Sequence, residues 1–155
     1  MTAPPTDKLD ALLAFNRQVL MQALDLVHAQ IGAKGLSYAG PLGSHLRHVI
    51  EHHEALLSAP AGAVVDYDGR PRDRQLETDP LRAAERLLVL LQQLSDRAGH
   101  SDTMLIVRGQ CGLDGSAAFA VRSSLGRELA FVASHAIHHF ALLLPHVRQQ
   151  GLPLP

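Results

Sequence analysis

Ten histidines stand in a chain of 155 residues that has no tryptophan, two tyrosines and four phenylalanines, and seven of them fall in two short windows, His45 to His53 and His135 to His139. Neutral imidazole is the commonest side-chain ligand for divalent metals. In the second window His135 and His139 are four residues apart. On a helix that spacing is about 40° around the axis and roughly 6 Å along it, close enough to share one ion. Their neighbours Phe131, Val132, Ala136, Phe140, Leu142 and Leu143 are apolar, so the two rings face a low-dielectric interior where an unpaired polar group is costly. Satisfied core or surface histidines produce the same spacing, and a shared metal is the reading that uses both rings at once.

The first window offers a third ligand. His45, His48 and His52 are spaced three and four and fall on one stripe of a helix. The apolar arc of Leu46, Val49, Ile50 and Leu57 centres near His53, and Ser44, Arg47, Glu51, Glu54 and Ser58 mark solvent on the opposite side. His45 and His52 sit at the inner boundary of that arc and His48 further out, so helical-wheel angle favours His45 or His52. His53 reads as a core-facing ring, and a solvated stripe is the bland reading of the other three. Three neutral imidazoles with an open position are the pattern of a reactive metal site rather than a closed structural one. Such a metal acidifies a bound water or thiol, or polarises a carbonyl.

Several competing chemistries are absent. None of the five glutamates has histidine three residues on, which removes the di-iron carboxylate pattern, and neither HExxH nor CxxCH occurs. The single cysteine, Cys111, allows neither an intramolecular disulfide nor a cysteine-based zinc cluster, receives no catalytic role, and suits a reducing, cytoplasmic setting. Glu128 lies seven residues before His135, roughly 10 Å up the same helical stripe and too far to be a co-ligand. It reads either as a pocket acid or base, or as an interior glutamate paired with Arg127, Arg122, Arg70, Arg72 or Arg74. Fourteen Lys and Arg against fifteen Asp and Glu give a net charge of −1, without the basic cluster that nucleic acid requires. With no signal-like leader and no apolar run approaching the ~20 residues of a membrane span, the expectation is a soluble protein that binds neither nucleic acid nor membrane.

Periodicity supplies the elements that must position these residues. Residues 1–6 read as a disordered lead and 7–150 as one domain. Apolar residues from Leu9 to Val27 recur at helical spacing, with Thr6 or Asp7 as N-cap and a stop at Gly32 to Gly35. A second helix starts near Pro41 and runs to about Ser58. Residues 61–78, polar and arginine-rich, read as a long functional connection. Thr78-Asp79-Pro80 opens a third helix that ends before Gly99. The runs Thr103–Arg108 and Ala117–Arg122, separated by glycines, form a β-hairpin. Ser123 or Ser124 then caps a fourth helix, apolar on nearly every face from Leu125 to about Val147 and therefore the buried one, with Pro145 bending or ending it. The expected fold is mostly α, a four-helix bundle with a small β-hairpin inserted before the last helix.

Two segments also carry a family likeness. Leu42-Gly43-Ser-His45-Leu-Arg-His48-Val-Ile-Glu and Arg127-Glu-Leu-Ala-Phe-Val-Ala-Ser-His135-Ala-Ile-His-His139 resemble the DinB-like four-helix-bundle superfamily, in its YfiT-type branch of metal-dependent hydrolases and thiol transferases. Its members share Gly-x4-His on the second helix and His-x3-His on the last. Gly43 to His48 and His135 to His139 match, so the resemblance implies a divalent metal (zinc, nickel, manganese or iron) held by His48, His135 and His139, with His45 and His52 in reserve. It also implies an up-down-down-up bundle, a homodimer and, in relatives such as bacillithiol transferases and mycothiol-dependent isomerases, a low-molecular-weight thiol as co-substrate. The loop Asp66-Tyr67-Asp-Gly-Arg70-x-Arg72-Asp73 looks like a subgroup of that superfamily.

The functional expectation is a metal-dependent thiol transferase or hydrolase acting on a small molecule. Glu128, Tyr67 and Arg70 are the candidate catalytic residues, and Asp66, Tyr67, Arg70 and Arg72 of the long loop are the candidate holders of an anionic substrate. The reading from another class is a non-catalytic bundle that binds a small molecule or its own copy.

Overall fold

The computed structural model describes residues 8–33 and 36–152. The expected lead at 1–6, the N-cap at Thr6 or Asp7 and the stop at Gly35 lie outside them. The protein is mostly helical with one small sheet, in the order α1 (Lys8–Gly32), α2 (Pro41–Leu57), β1 (Val64–Asp66), α3 (Gln75–Thr78), α4 (Pro80–Asp96), β2 (Met104–Cys111), β3 (Ala117–Ser124) and α5 (Leu125–Gln149).

Local chemistry sets the helix starts. Pro41 occupies the first turn of α2, where a missing N–H costs nothing. The Asp79 carboxylate accepts from the Leu81 and Arg82 amides at the head of α4, and Ser124 Oγ accepts from the Arg127 amide at the head of α5. Pro145 does not end α5, which continues to Gln149.

α1 packs against α4 and α5, and α2 against the same two, closing a ring of contacts around one core. Leu42, Leu46 and Ile50 of α2 are fully buried, each contributing about 1.5–3 kcal/mol. That exceeds what histidine hydrogen bonds of about 1 kcal/mol supply, so apolar packing fixes how α2 turns its histidines.

The structure corrects four expectations. The 61–78 stretch is not all connection, because β1 and α3 lie within it; β1 runs parallel to β2, pairing Val64 with Ile106, so the hairpin is part of a three-stranded sheet. Glu51, placed in solvent by the helical wheel, is 1% exposed, since α3 and the loop before it cover that side of α2. α5 is not buried all round: Ile137 and Leu142 are 44% and 53% exposed. Finally, α5 is by length and composition apolar enough to cross a membrane. A helix that packs against α1 and α2 needs the same composition, and ten of its residues are buried in this fold.

Candidate metal centre

α2 and α5 pack side by side and bring the two histidine windows together. The Nε2 atoms of His48 and His135 are 2.9 Å apart, and those of His135 and His139 are 3.2 Å apart. Two ligands of one tetrahedral zinc stand about 3.3 Å apart, given bonds of about 2.05 Å. His45 adjoins the group, its Nδ1 2.7 Å from His139 Nδ1. His52 stands on the other side, its ring centroid 4.5 Å from that of His135. His48, His52 and His135 each offer one ring nitrogen within 4.8 Å of the others. Two triads therefore share His48 and His135 and differ in whether His139 or His52 completes them.

Hydrogen bonding separates the two. His52 donates its Nδ1–H to the His48 carbonyl at 2.8 Å, and its remaining Nε2 lone pair faces Arg70 Nη1 at 3.3 Å. That lone pair already has a cationic donor. His139, by contrast, has Nδ1 against His45 and Nε2 directed at His135. An outer partner that engages one ring nitrogen and leaves the other to point at the site is the usual arrangement around ligating histidines. His139 thus keeps a ring nitrogen toward His135 with no cationic donor on it, whereas the three ring nitrogens that all lie within 4.8 Å of one another are those of His48, His52 and His135.

Burial keeps these rings neutral. It pushes His48 and His52 down to about 3 and His139 down to about 4, with neighbouring imidazoles and Arg70 adding to the effect, and it lowers His45 and His135 below the ordinary histidine value. Lone pairs are thus available at neutral pH, which a metal ligand requires. His53 is the fully buried ring expected from its position, set between the Val49 carbonyl at 2.9 Å and Asn16 Oδ1 at 3.0 Å. Burial holds it down to about 4. Both partners are acceptors, so the neutral ring hydrogen-bonds to one at a time.

The loop after β1 delivers the other candidates. Arg70 is fastened by the Tyr67 carbonyl and lies 3.8 Å from Glu51 Oε2, with Nη2 3.5 Å from His48 Nδ1. It is thus a fixed cation at the edge of the imidazole cluster. Asp66 and Arg72 do not join it. Asp66 accepts from the Asp68 and Gly69 amides and pairs with Arg108, closing the turn and tying it to β2, while Arg72 is exposed. The expected anion clamp reduces to Arg70.

Glu128 is fully buried and accepts from Tyr67 Oη at 2.8 Å, Ser123 Oγ at 2.5 Å and Arg127 Nη1 at 2.7 Å. Of the five arginines offered by sequence, Arg127 is its partner. Tyr67 and Phe131 separate this carboxylate from the histidines: Tyr67 stacks on His52 at 5.4 Å, Phe131 on His135 at 5.6 Å, and the two rings touch at 5.3 Å. Burial and Glu128 raise the Tyr67 phenol above its ordinary range, so it stays protonated and donates. Sequence missed Ser123 and Asn16. Asn16 meets His53, 37 residues further on, only through the fold, whereas Ser123 lies five residues before Glu128 and reaches it across the junction of β3 and α5.

No protein-family model matches the chain, and no solved structure matches it. Over 107 residues, 68% of its length, it is 30% identical to the curated FK506-binding protein 5 of Rhizopus delemar, and it spans 28% of that protein.

Proposed function

We propose that the chain is a metal-dependent enzyme of the DinB-like type, its α1, α2, α4 and α5 forming an up-down-down-up four-helix bundle in which His48, His135 and His139 hold one divalent ion, zinc, nickel, manganese or iron. The observation that carries this reading is the convergence of three neutral imidazoles through Nε2, at 2.9 and 3.2 Å, with His139 backed by His45. When bound, the ion supplies Lewis acidity that lowers the pKa of a coordinated thiol or water. The chain's own residues supply the rest. Arg70, unable to leave because Glu51 and the Tyr67 carbonyl hold it, places a positive charge where an anionic thiol or substrate group would sit. Tyr67 and Phe131 exclude water from one flank of the rings. Glu128 is a candidate proton acceptor and orients Tyr67. A thiol transferase or hydrolase acting on a small molecule as a cytoplasmic homodimer is the reaction class these groups suit.

Elemental analysis by mass spectrometry tests it, on untagged protein purified without chelator, beside the His135→Ala/His139→Ala double variant. About one equivalent of metal in the wild type and little in the folded variant is the expected result. Metal absent from both after reconstitution overturns it. One observation favours a non-catalytic binding module instead: the rings partner one another and Arg70 without any ion. That module retains its fold and takes up no metal.

A further inference from the structure

The sheet has two edges, and only one of them is blunted. Its strands lie in the order β1-β2-β3, so β1 and β3 are the edge strands. β1 is three residues long and offers little to pair with. β3 is eight residues long, pairs one-to-one with β2 without a bulge, and has neither proline nor acidic residue in its run Ala117–Ser124. Residues 117–122 are all exposed, so no helix or loop covers that edge among the described residues. An edge that proline, a bulge, charge or cover does not block is a template for another strand.

The ladder fixes which groups are free. The Ile106 amide donates to the Ala63 carbonyl and the Met104 carbonyl accepts from the Gly62 amide, so even-numbered residues of β2 turn their backbone groups to β1 and odd-numbered ones to β3. Leu105, Val107 and Gly109 are therefore bonded to Ser123, Val121 and Phe119. The N–H and C=O of Ala118, Ala120 and Arg122 point outward and meet no partner among the described residues. On the faces of the sheet, Phe119 and Val121 lie with Val107 toward the helices, and Arg122 lies on the other face with Ile106. Phe119 and Val121 remain 39% and 52% exposed.

We infer that the β3 edge pairs with the β3 edge of a second copy, antiparallel about a two-fold axis at Ala120, forming one continuous sheet across a homodimer. The outward backbone groups are evenly spaced about Ala120, so reversing the strand there gives about six N–H···O bonds in three mutual pairs. Phe119 and Val121 are equidistant from the same centre. Each Phe119 then stands opposite Val121 of the other copy, an aromatic–β-branched pair made twice, and both exposed side chains gain cover. Moving the axis to Phe119 or Val121 sets Val121 opposite Ala117, or Phe119 opposite Ser123. Arg122, the single charged residue of the strand, falls opposite Ala118 of the second copy, whereas an axis at Arg122 would set like charges face to face. A net charge of −1 adds little repulsion between copies. The inference rests on the homodimer of the proposed function, for which it supplies the surface, and not on its metal.

Sedimentation velocity and amide hydrogen exchange on the full chain test it, from about 10 μM to 1 mM, a range suited to an interface smaller than the standard of about 1,600 Å². Expected is a monomer–dimer equilibrium in which the amides of Ala118, Ala120 and Arg122 gain protection as the dimer fills. Ala120→Pro removes the two central donors and none of the bonds to β2, at a position where an edge strand tolerates proline. It should give a folded monomer by circular dichroism. Ala118→Glu should tighten the dimer about two- to thirtyfold, because the two-fold repeats its cross-strand pair with Arg122, and Ala118→Lys should loosen it by a similar factor. A chain that stays monomeric throughout overturns both this surface and the homodimer. A dimer that all three substitutions leave unchanged overturns the surface alone, since the copies then meet elsewhere. Protection of the same amides without a dimer means that a foreign strand sits on the edge, and overturns the second copy. Metal content of the wild type is independent of each of these results.

Discussion

A β-carbon on Gly43 would fall inside the van der Waals shell of the Glu77 carbonyl oxygen, with the Tyr38 carbonyl a further 2.9 Å neighbour. The first turn of α2 and the end of α3 touch backbone to backbone, and no side chain fits between them. The glycine five residues before His48 is therefore a packing requirement. Gly43→Ala should cost about 1–3 kcal/mol, as overpacking does, read as a lower urea midpoint with an unchanged slope.

The two competing triads differ in outcome. His139→Ala should abolish the visible absorption of bound cobalt(II), whereas His52→Ala should retain it, because the His52 lone pair is engaged by Arg70. His45→Ala should weaken cobalt about 10–100-fold, the usual effect of removing an outer partner from a ligating histidine. Retained cobalt in His139→Ala together with loss in His52→Ala would move the third ligand to His52.

Acid should destabilise the metal-free protein. The folded-state values of His48 and His52, about 3, and of His53 and His139, about 4, lie below the 6.5 of the unfolded chain, in each case first through burial. Between about pH 4 and 6.5 the unfolded chain binds more protons, so stability rises with pH across that window. Urea midpoints measured by circular dichroism should fall steadily from pH 7.5 to 4.5. Saturating metal should make the fall steeper, because protons then also compete for the ligands. A flat profile in the chelated protein would show rings far more hydrated than this packing implies.

Glu128→Ala leaves Tyr67 Oη and Ser123 Oγ without their acceptor in a buried site, which should cost about 1–3 kcal/mol. Tyr67→Phe removes one donor and leaves Ser123 and Arg127 on the carboxylate, so its cost should be the smaller. Thermal melting of both variants beside the wild type reads the difference. A melting temperature for Glu128→Ala equal to the wild type would show that the carboxylate is hydrated rather than tied.

The long helices and the hairpin were legible because each repeats a local period over many residues, and His53 was placed correctly because it shares an arc with Leu46 and Ile50. β1 was not: three residues, Val64 to Asp66, carry no period, and their partners begin at Ile106, beyond both α3 and α4. Glu51 was misplaced because a helical wheel records one helix, while the cover came from Asp73, whose amide donates to Glu51 Oε1 at 2.6 Å. Arg70 was named as a candidate, yet its fastening by Glu51 and Tyr67 depends on a loop path that composition does not encode. The wheel ranked His45 and His52 above His48, and the structure brings all three up to α5, His48 and His52 to His135 and His45 to His139, because that face is defined by α5 as well as by the apolar arc of α2.

His48 and His135 are 87 residues apart along the chain, so their nitrogens meet only after nearly the whole domain has assembled. Local fragments and partly folded forms contain the histidines but not the cluster. Any ion that selects the cluster therefore ballasts the native state alone, by RT ln(1 + [L]/Kd). Under the proposed function, metal starvation would act on the protein twice, removing its activity and shortening its lifetime against proteases that prey on opened chains.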